Sequence, residues 1–240
     1  MTSSNSEKCC PVHYYAIHAP QAIAIQYGSL SITYLELHHW VQSFLDIMMA
    51  SDSVAQSDKW VIDSDLPPTA IYLALIAALR LQISLAIVPP FVGSDMLPGF
   101  TALRLNSNNP DDLILPPFSS SDCRVDSPAG SVSPAASFIY LTTSGTTGLA
   151  KHVVHTFEAH FSSATAMGDH FSLQSSDKWL VNLPLHHISG LAPLFRMMRV
   201  GGTVVFSDNT HDIARDCIQY RISHLSCVAA TLLRVINAPD

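Results

Sequence analysis

Short segments with the two-residue period of a strand and longer ones with helical spacing follow one another along most of this chain. That alternation points to an α/β architecture with a largely parallel sheet. Ala22 to Tyr27 alternates and is rich in β-formers, Gly28 and Ser29 make a turn, and Leu30 to Thr33 returns as the second arm of a hairpin. Thr33-Tyr34-Leu35-Glu36 has the form of a helix capping box, in which hydroxyl and carboxylate each satisfy a backbone N–H that a first turn leaves open. Behind it Leu37, Trp40, Val41, Phe44, Leu45 and Met48 recur at helical spacing. Lys59 to Ile62 reads as a short strand, Pro67-Pro68 as the start of a long apolar helix through Leu79, and Leu85 to Val88 as the next strand.

Further strands are expected at Ser137 to Leu141, His152 to His155, Trp179 to Leu183, Thr203 to Phe206 and Leu225 to Val228. Helices are expected at Phe157 to His170, capped by Thr156, and at Gly190 to Val200, Asp212 to Tyr220 and Thr231 to Ile236. Between Asn106 and Pro134 the chain turns Ser-, Asp- and Pro-rich and has little core-forming power. The sequence therefore divides into an N-terminal α/β subdomain (1–105), a connection (106–136) and a second α/β subdomain (137–240).

Composition narrows the function classes. The chain is 48% hydrophobic and only 13% charged, about half the charge content usual for a soluble protein, so it is either tightly packed or normally covered by something else. A formal charge of −7 with no Lys/Arg cluster argues against nucleic acid as a partner. Cys9, Cys10, Cys123, Cys217 and Cys227 form no C-x-x-C pair and follow a polar start, which reads as reduced thiols in a cytoplasmic protein. The longest apolar run, Ala70 to Pro90, is broken by Arg80 and Gln82 and suits a buried helix, with no integral membrane segment expected.

The segment Thr143-Ser144-Gly145-Thr146-Thr147-Gly148-Leu149-Ala150-Lys151 carries the most chemistry. Gly145 and Gly148 allow a tight turn and close approach of backbone to a ligand. Ser144, Thr146 and Thr147 add hydroxyls, exposed backbone N–H groups can line a nest for phosphate oxygens, and Lys151 adds a cation. It is neither a Walker A loop nor a G-x-G-x-x-G fingerprint. On its residues alone, such a turn is more often a plain loop than a polyphosphate cradle. No G-x-S-x-G elbow supports a serine hydrolase. His152 with His155, and His38 with His39, lack the companion residues of a metal site, and none is expected.

Tyr140 through Lys151 resembles the phosphate-loop signature of the adenylate-forming superfamily: acyl-CoA synthetases, peptide-synthetase adenylation domains and luciferases. The usual form is T-S-G-[ST]-T-G-x-P-K, from which this chain departs at Ala150 and His152. Leu183-Pro184-Leu185-His186-His187-Ile188-Ser189-Gly190 resembles the family's P-x-x-H block. Pro20 to Leu37, Ala77 to Pro89 (with Gln82 in place of a glycine) and Gly201 to Val205 are collinear with further family segments. Within the superfamily, Trp179, the leucine-proline approach to His187, and Arg196 nine residues later are most similar to o-succinylbenzoate–CoA ligases of menaquinone synthesis.

The resemblance implies a fold made of the N-terminal subdomains of the adenylate-forming enzyme, with the small C-terminal domain absent. It implies ATP, Mg2+ and coenzyme A, with a carboxylate adenylated and then passed to the thiol. Thr143, Ser144, Gly145, Thr146, Thr147, Gly148 and Lys151 would hold phosphates, with Lys151 also catalytic. His187, also catalytic, would border the acyl and thiol site with Ser189 and Gly190. Arg196 would pair with a substrate carboxylate in a bidentate fork, or stand as a helix-surface charge. The family's Y-G-x-[ST]-E adenine motif, ribose-binding aspartate and C-terminal lysine are not found, so little or no ligase activity is expected of the chain alone, and a separate chain is a candidate to supply them. The alternatives are a truncated, inactive interaction relative, and an adenylating enzyme of another branch, such as an amino-acid-activating domain.

Overall fold

The computed structural model describes residues 10–50, 52–89, 100–102, 137–143, 151–207 and 212–237. Its first elements are α1 (Pro11–His18), β1 (Ile23–Tyr27), β2 (Leu30–Thr33), α2 (Tyr34–Met49), α3 (Asp52–Ala55) and β3 (Lys59–Asp63). Next come α4 (Pro68–Leu81), β4 (Ser84–Val88), β5 (Thr101–Ala102), β6 (Phe138–Thr143) and β7 (Lys151–Thr156). The last are α5 (Phe157–Phe171), β8 (Lys178–Val181), α6 (Ile188–Val200), β9 (Thr203–Phe206), α7 (Ile213–Tyr220), β10 (His224–Leu225) and α8 (Ala229–Ile236).

The α/β reading holds, but the strands form two sheets where one was expected. Their orders are β10-β8-β9-β1-β2 and β5-β3-β4-β6-β7. Pairing is parallel except at one edge of each sheet, where β1 meets β2 and β6 meets β7 antiparallel. Each sheet takes strands from before and after the stretch 106–136, which itself lies outside the described residues.

The strand period explains the layering. Trp60 and Ile62, Leu85 and Ile87, and Ile139 and Leu141 point from the second sheet into one large core. Trp179 and Val181, and Val204 and Phe206, point into the same core from the first sheet. The intervening Val61, Ala86 and Val88 face the opposite side with Phe100 and Tyr140, while Leu180 and Val205 face α7 through Ile213 and Tyr220. Alternate side chains thus serve different layers, as a sheet covered on both faces requires. Helix α4 contributes Ala70 through Leu79 to the burial without interruption, which a helix apolar all round can satisfy only by being enclosed.

Local chemistry sets the element ends. Thr33 and Glu36 form the capping box of α2, with the Thr33 N–H donating to Glu36 Oε2 at 2.7 Å and the Glu36 N–H to Thr33 Oγ1 at 3.2 Å. Thr156 Oγ1 accepts from the Ala159 N–H at 3.0 Å and caps α5. Gln82, where the family carries glycine, ends α4 in the left-handed region at φ 57°.

Several element bounds differ from the expectation, α6 beginning at Ile188 and α8 at Ala229 among them, and the short α3 and β5 are additional. Strand β8 spans Lys178–Val181, so Leu183 belongs to the following turn, and β10 ends at Leu225, with Val228 as the N-cap of α8. Helix α1 was not anticipated because it buries only Val12 and Ala16; its legible signal is Pro11 at the first helical position.

Candidate functional site

Strand β6 delivers the candidate phosphate loop. Ser144, Gly145, Thr146, Thr147 and Gly148 lie outside the described residues, but both ends of the loop are placed by the backbone. Thr143 and Lys151 are direct cross-strand partners in the antiparallel β6–β7 pair. Opposed residues in such a pair have Cα atoms about 5 Å apart. Lys151, read as the far end of the loop, is therefore back at its mouth.

The histidine block sits beyond the carboxyl end of β8. The His187 N–H donates to the Pro184 carbonyl at 3.1 Å, closing the turn, and His187 becomes the N-cap of α6 without a side-chain cap bond. Gly190 is buried against that turn. A Cβ there would lie 2.4 Å from the carbonyl oxygens of both Leu183 and Pro184, so the first turn of α6 is seated on backbone that only glycine can meet. His187 and Ser189 are exposed, whereas His186 is half-buried. The two imidazole rings are 4.2 Å apart between centroids.

His186 also marks where the two sheets meet. Its Nδ1 is 2.8 Å from Ser64 Oγ, and Ser64 directly follows β3 in the other sheet. Strands β3, β4 and β6 are consecutive neighbours, so the exit of β3 is two strand spacings, about 10 Å, from the exit of β6 into the loop. Both candidate blocks therefore lie at carboxyl ends of parallel strands, the edge at which open α/β sheets present ligand crevices. Sequence reading missed Ser64; its one local signal was its position between a strand and the Pro67-Pro68 helix start.

Arg196 is two and a half turns from His187, about 13 Å along α6, so the two flank different ends of that helix. Its guanidinium carbon lies 4.7 Å from the Trp179 ring centroid, and its Nε is buried with no hydrogen-bond partner among the described residues. Burial lowers its pKa, though an arginine stays charged under these conditions. Trp179 is itself held, donating from Nε1 to Ser226 Oγ at 3.1 Å and stacking with His224. Half-buried over Trp179, Arg196 is not an ordinary surface charge.

Three other histidines are engaged elsewhere. Arg80 Nη2 donates to His38 Nδ1 at 2.8 Å, and burial first, then Arg80, pushes His38 down to about 3. His160 stacks on Phe195 and is pushed down to about 4 by burial and then by His155. Thr142 Oγ1 lies 3.4 Å from His152 Nδ1 across the β6–β7 pair. Among the described residues no group of three or more His, Cys, Asp or Glu side chains could hold a metal ion, and no helix is long and apolar enough to cross a membrane.

Residues 98–240 match the family model described as AMP-binding enzyme. The chain is 39% identical over 97 residues to the 2-succinylbenzoate–CoA ligase of Bacillus pumilus, covering 40% of this chain and 20% of that protein. It is 41% identical over 101 residues to the 2-succinylbenzoate–CoA ligase of Bacillus subtilis, covering 40% and 21%. The match thus spans about a fifth of these relatives' length. Among solved structures, o-succinylbenzoate CoA synthetase from Bacillus subtilis in complex with the acyl-adenylate intermediate aligns with a TM-score of 0.74 at 21% identity, over 97% of this chain and 65% of that one. The N-terminal domain of FACL13 from Mycobacterium tuberculosis aligns with a TM-score of 0.76 at 16% identity, over 97% and 66%. At these identities the structural likeness establishes the fold, which is the α/β fold expected from the phosphate-loop resemblance.

Proposed function

The chain belongs to the AMP-binding enzyme family, and on that premise we propose that it forms the ATP-phosphate side and part of the acyl side of an acid–CoA ligase acting on o-succinylbenzoate. The observation that carries this reading is the convergence of two blocks far apart in sequence. The Thr143–Lys151 pair that closes the loop, and the His186–Gly190 turn, stand at strand ends joined by the Ser64–His186 contact. Identity to 2-succinylbenzoate–CoA ligases supports the choice of acid.

In this reading the loop from Thr143 to Lys151 wraps the triphosphate, and the lysine at its mouth offsets charge that builds as pyrophosphate leaves. A carboxylate oxygen of the acid bonds to the α-phosphorus, giving an acyl adenylate. The coenzyme A thiol then bonds to the acyl carbon and AMP departs. His187 and Ser189, exposed at the start of α6, border that exchange. Arg196, charged and desolvated over Trp179, takes the carboxylate that does not react, at the other end of a dicarboxylic acid. One solved relative, o-succinylbenzoate CoA synthetase from Bacillus subtilis, is in complex with ATP and magnesium ion. Magnesium usually keeps waters and leans on substrate phosphates rather than on a protein cage. When bound it would neutralise phosphate charge.

The test is carboxylate-dependent ATP–pyrophosphate exchange by the 240-residue chain, together with calorimetric titration of ATP and o-succinylbenzoate. Exchange that needs o-succinylbenzoate and disappears in Lys151→Ala supports a working adenylation site. Binding of both ligands without exchange supports a partial site, to be completed by a polypeptide carrying the adenine motif and terminal lysine. A folded protein that binds neither overturns the proposal and favours the interaction relative.

A further inference from the structure

We propose that Ser64 is a positioning residue that latches the histidine turn of one sheet onto the phosphate-loop edge of the other; the inference rests on the ligase reading above. The backbone of Ser64 is fixed first. Its N–H donates to the Val88 carbonyl at 2.8 Å, continuing the register in which Asp63 faces Val88, and Pro68 begins α4 four residues later. Val88 ends β4, whose other neighbour is β6, so Ser64 is tied through two strands to the residue that opens the loop.

Its side chain then reaches the opposite sheet. Ser64 Oγ and His186 Nδ1, 122 positions apart, are 2.8 Å from each other. His186 belongs to a turn whose backbone is shaped by the His187 N–H to Pro184 carbonyl bond and by the seat of Gly190 on Leu183 and Pro184, and whose Leu185 is buried in the core between the sheets. Leu185 brings the turn against the shared core, and the serine hydroxyl then fixes where its neighbouring imidazole stands relative to the exit of β3. The titratable groups around the contact are His187, 4.2 Å away, and Asp63 and Asp65, which flank Ser64 in sequence. Burial, and then His187, lower the His186 pKa, which favours the neutral ring, and the tautomer with Nδ1 unprotonated accepts from the serine hydroxyl at this distance. His187 is the immediate neighbour on the chain, so fixing His186 also fixes the residue that borders the acyl and thiol site.

Two variants test this in the full chain. Ser64→Ala removes the hydroxyl, and Ser64→Thr keeps it. Histidine ring resonances followed through a pH titration should show the His186 pKa rising toward the ordinary histidine value in Ser64→Ala and returning in Ser64→Thr, with the His187 ring resonances displaced at fixed pH in the first variant and restored in the second. That readout needs no enzymatic activity, so failure of the ligase reading leaves it intact. Unchanged His186 and His187 resonances in a folded Ser64→Ala protein overturn the latch. Where exchange is measurable, the KM for the acid should rise about tenfold in Ser64→Ala, the effect of losing one hydrogen bond of ordinary strength, with the KM for ATP within twofold. Equal loss on both substrates, or no change for the acid, overturns the positioning role.

Discussion

Replacing Gly190 by alanine should destabilise the protein, although the same replacement elsewhere in its helices should stabilise it. Alanine in a helix ordinarily gains about 0.5–1 kcal/mol over glycine. At Gly190 the new methyl would sit 2.4 Å from two carbonyl oxygens, and ordinary contact begins at 3.4 Å, so α6 or the Leu183–Pro184 turn must retreat by about 1 Å. Neither neighbour is a flexible side-chain tip. Overpacking of that kind costs about 1–3 kcal/mol, and with two backbone oxygens to displace the upper part of that range, about 2–3 kcal/mol, applies; less the propensity gain, the net loss is about 1–2.5 kcal/mol. For a chain of this size that is a fall in Tm of about 2–10 °C. Gly168, late in α5, is the internal control, because a methyl there meets only Val200 Cγ1 at 3.9 Å. Gly168→Ala should therefore raise Tm by about 1–4 °C. Thermal and urea unfolding followed by far-ultraviolet circular dichroism measure both. If the two substitutions move stability in the same direction, the seating of α6 on that turn is wrong.

Other outcomes follow from single sites. Gln82 holds a left-handed φ of 57° at an exposed helix end, so Gln82→Gly should add up to about 1 kcal/mol, and a lower urea midpoint would contradict it. His38 and His160 are held at about 3 and about 4 by burial, below the ordinary 6.5. Below pH 6.5 the unfolded chain takes up protons that the folded chain refuses. Stability is therefore full above that pH and falls, by about 1.4 kcal/mol per pH unit for each group, until the folded pKa is reached. His160→Phe, which also removes a buried Nε2 with no partner among the described residues, should halve the combined slope of these two groups between pH 6 and 4.5; an unaltered slope would show that His160 is not buried neutral. Arg196→Met keeps the stem over Trp179 and removes the charge. Calorimetry should show the affinity for o-succinylbenzoate reduced about tenfold to a hundredfold with ATP binding retained, and equal acid binding would remove Arg196 from the site.

Local signals in the sequence determined what each segment becomes. The capping box at Thr33 and Glu36, the Thr156 cap, the all-round apolar face of Ala70 to Leu79 and the two-residue period of the strands depend on neighbours within a few positions, so they could be read without knowing the fold. The phosphate-loop and P-x-x-H blocks were legible for the same reason, each being a contiguous run. Contacts between distant residues were not. The period of Trp60, Val61 and Ile62 shows that two faces are covered, but not by which layer, and one sheet was expected where β1 and β2 join β8 to β10 in a separate one. Lys151 read as the far end of a loop until strand pairing returned it to Thr143. Ser64 carried no motif, because its partner lies 122 positions away and only the meeting of two sheets brings His186 within a hydrogen bond of it. Arg196 looked equally like a surface charge until Trp179 was found beneath it. Periodicity and capping are short-range and repeat along the chain, whereas layer order and the pairing of lone polar groups depend on how distant segments close on each other.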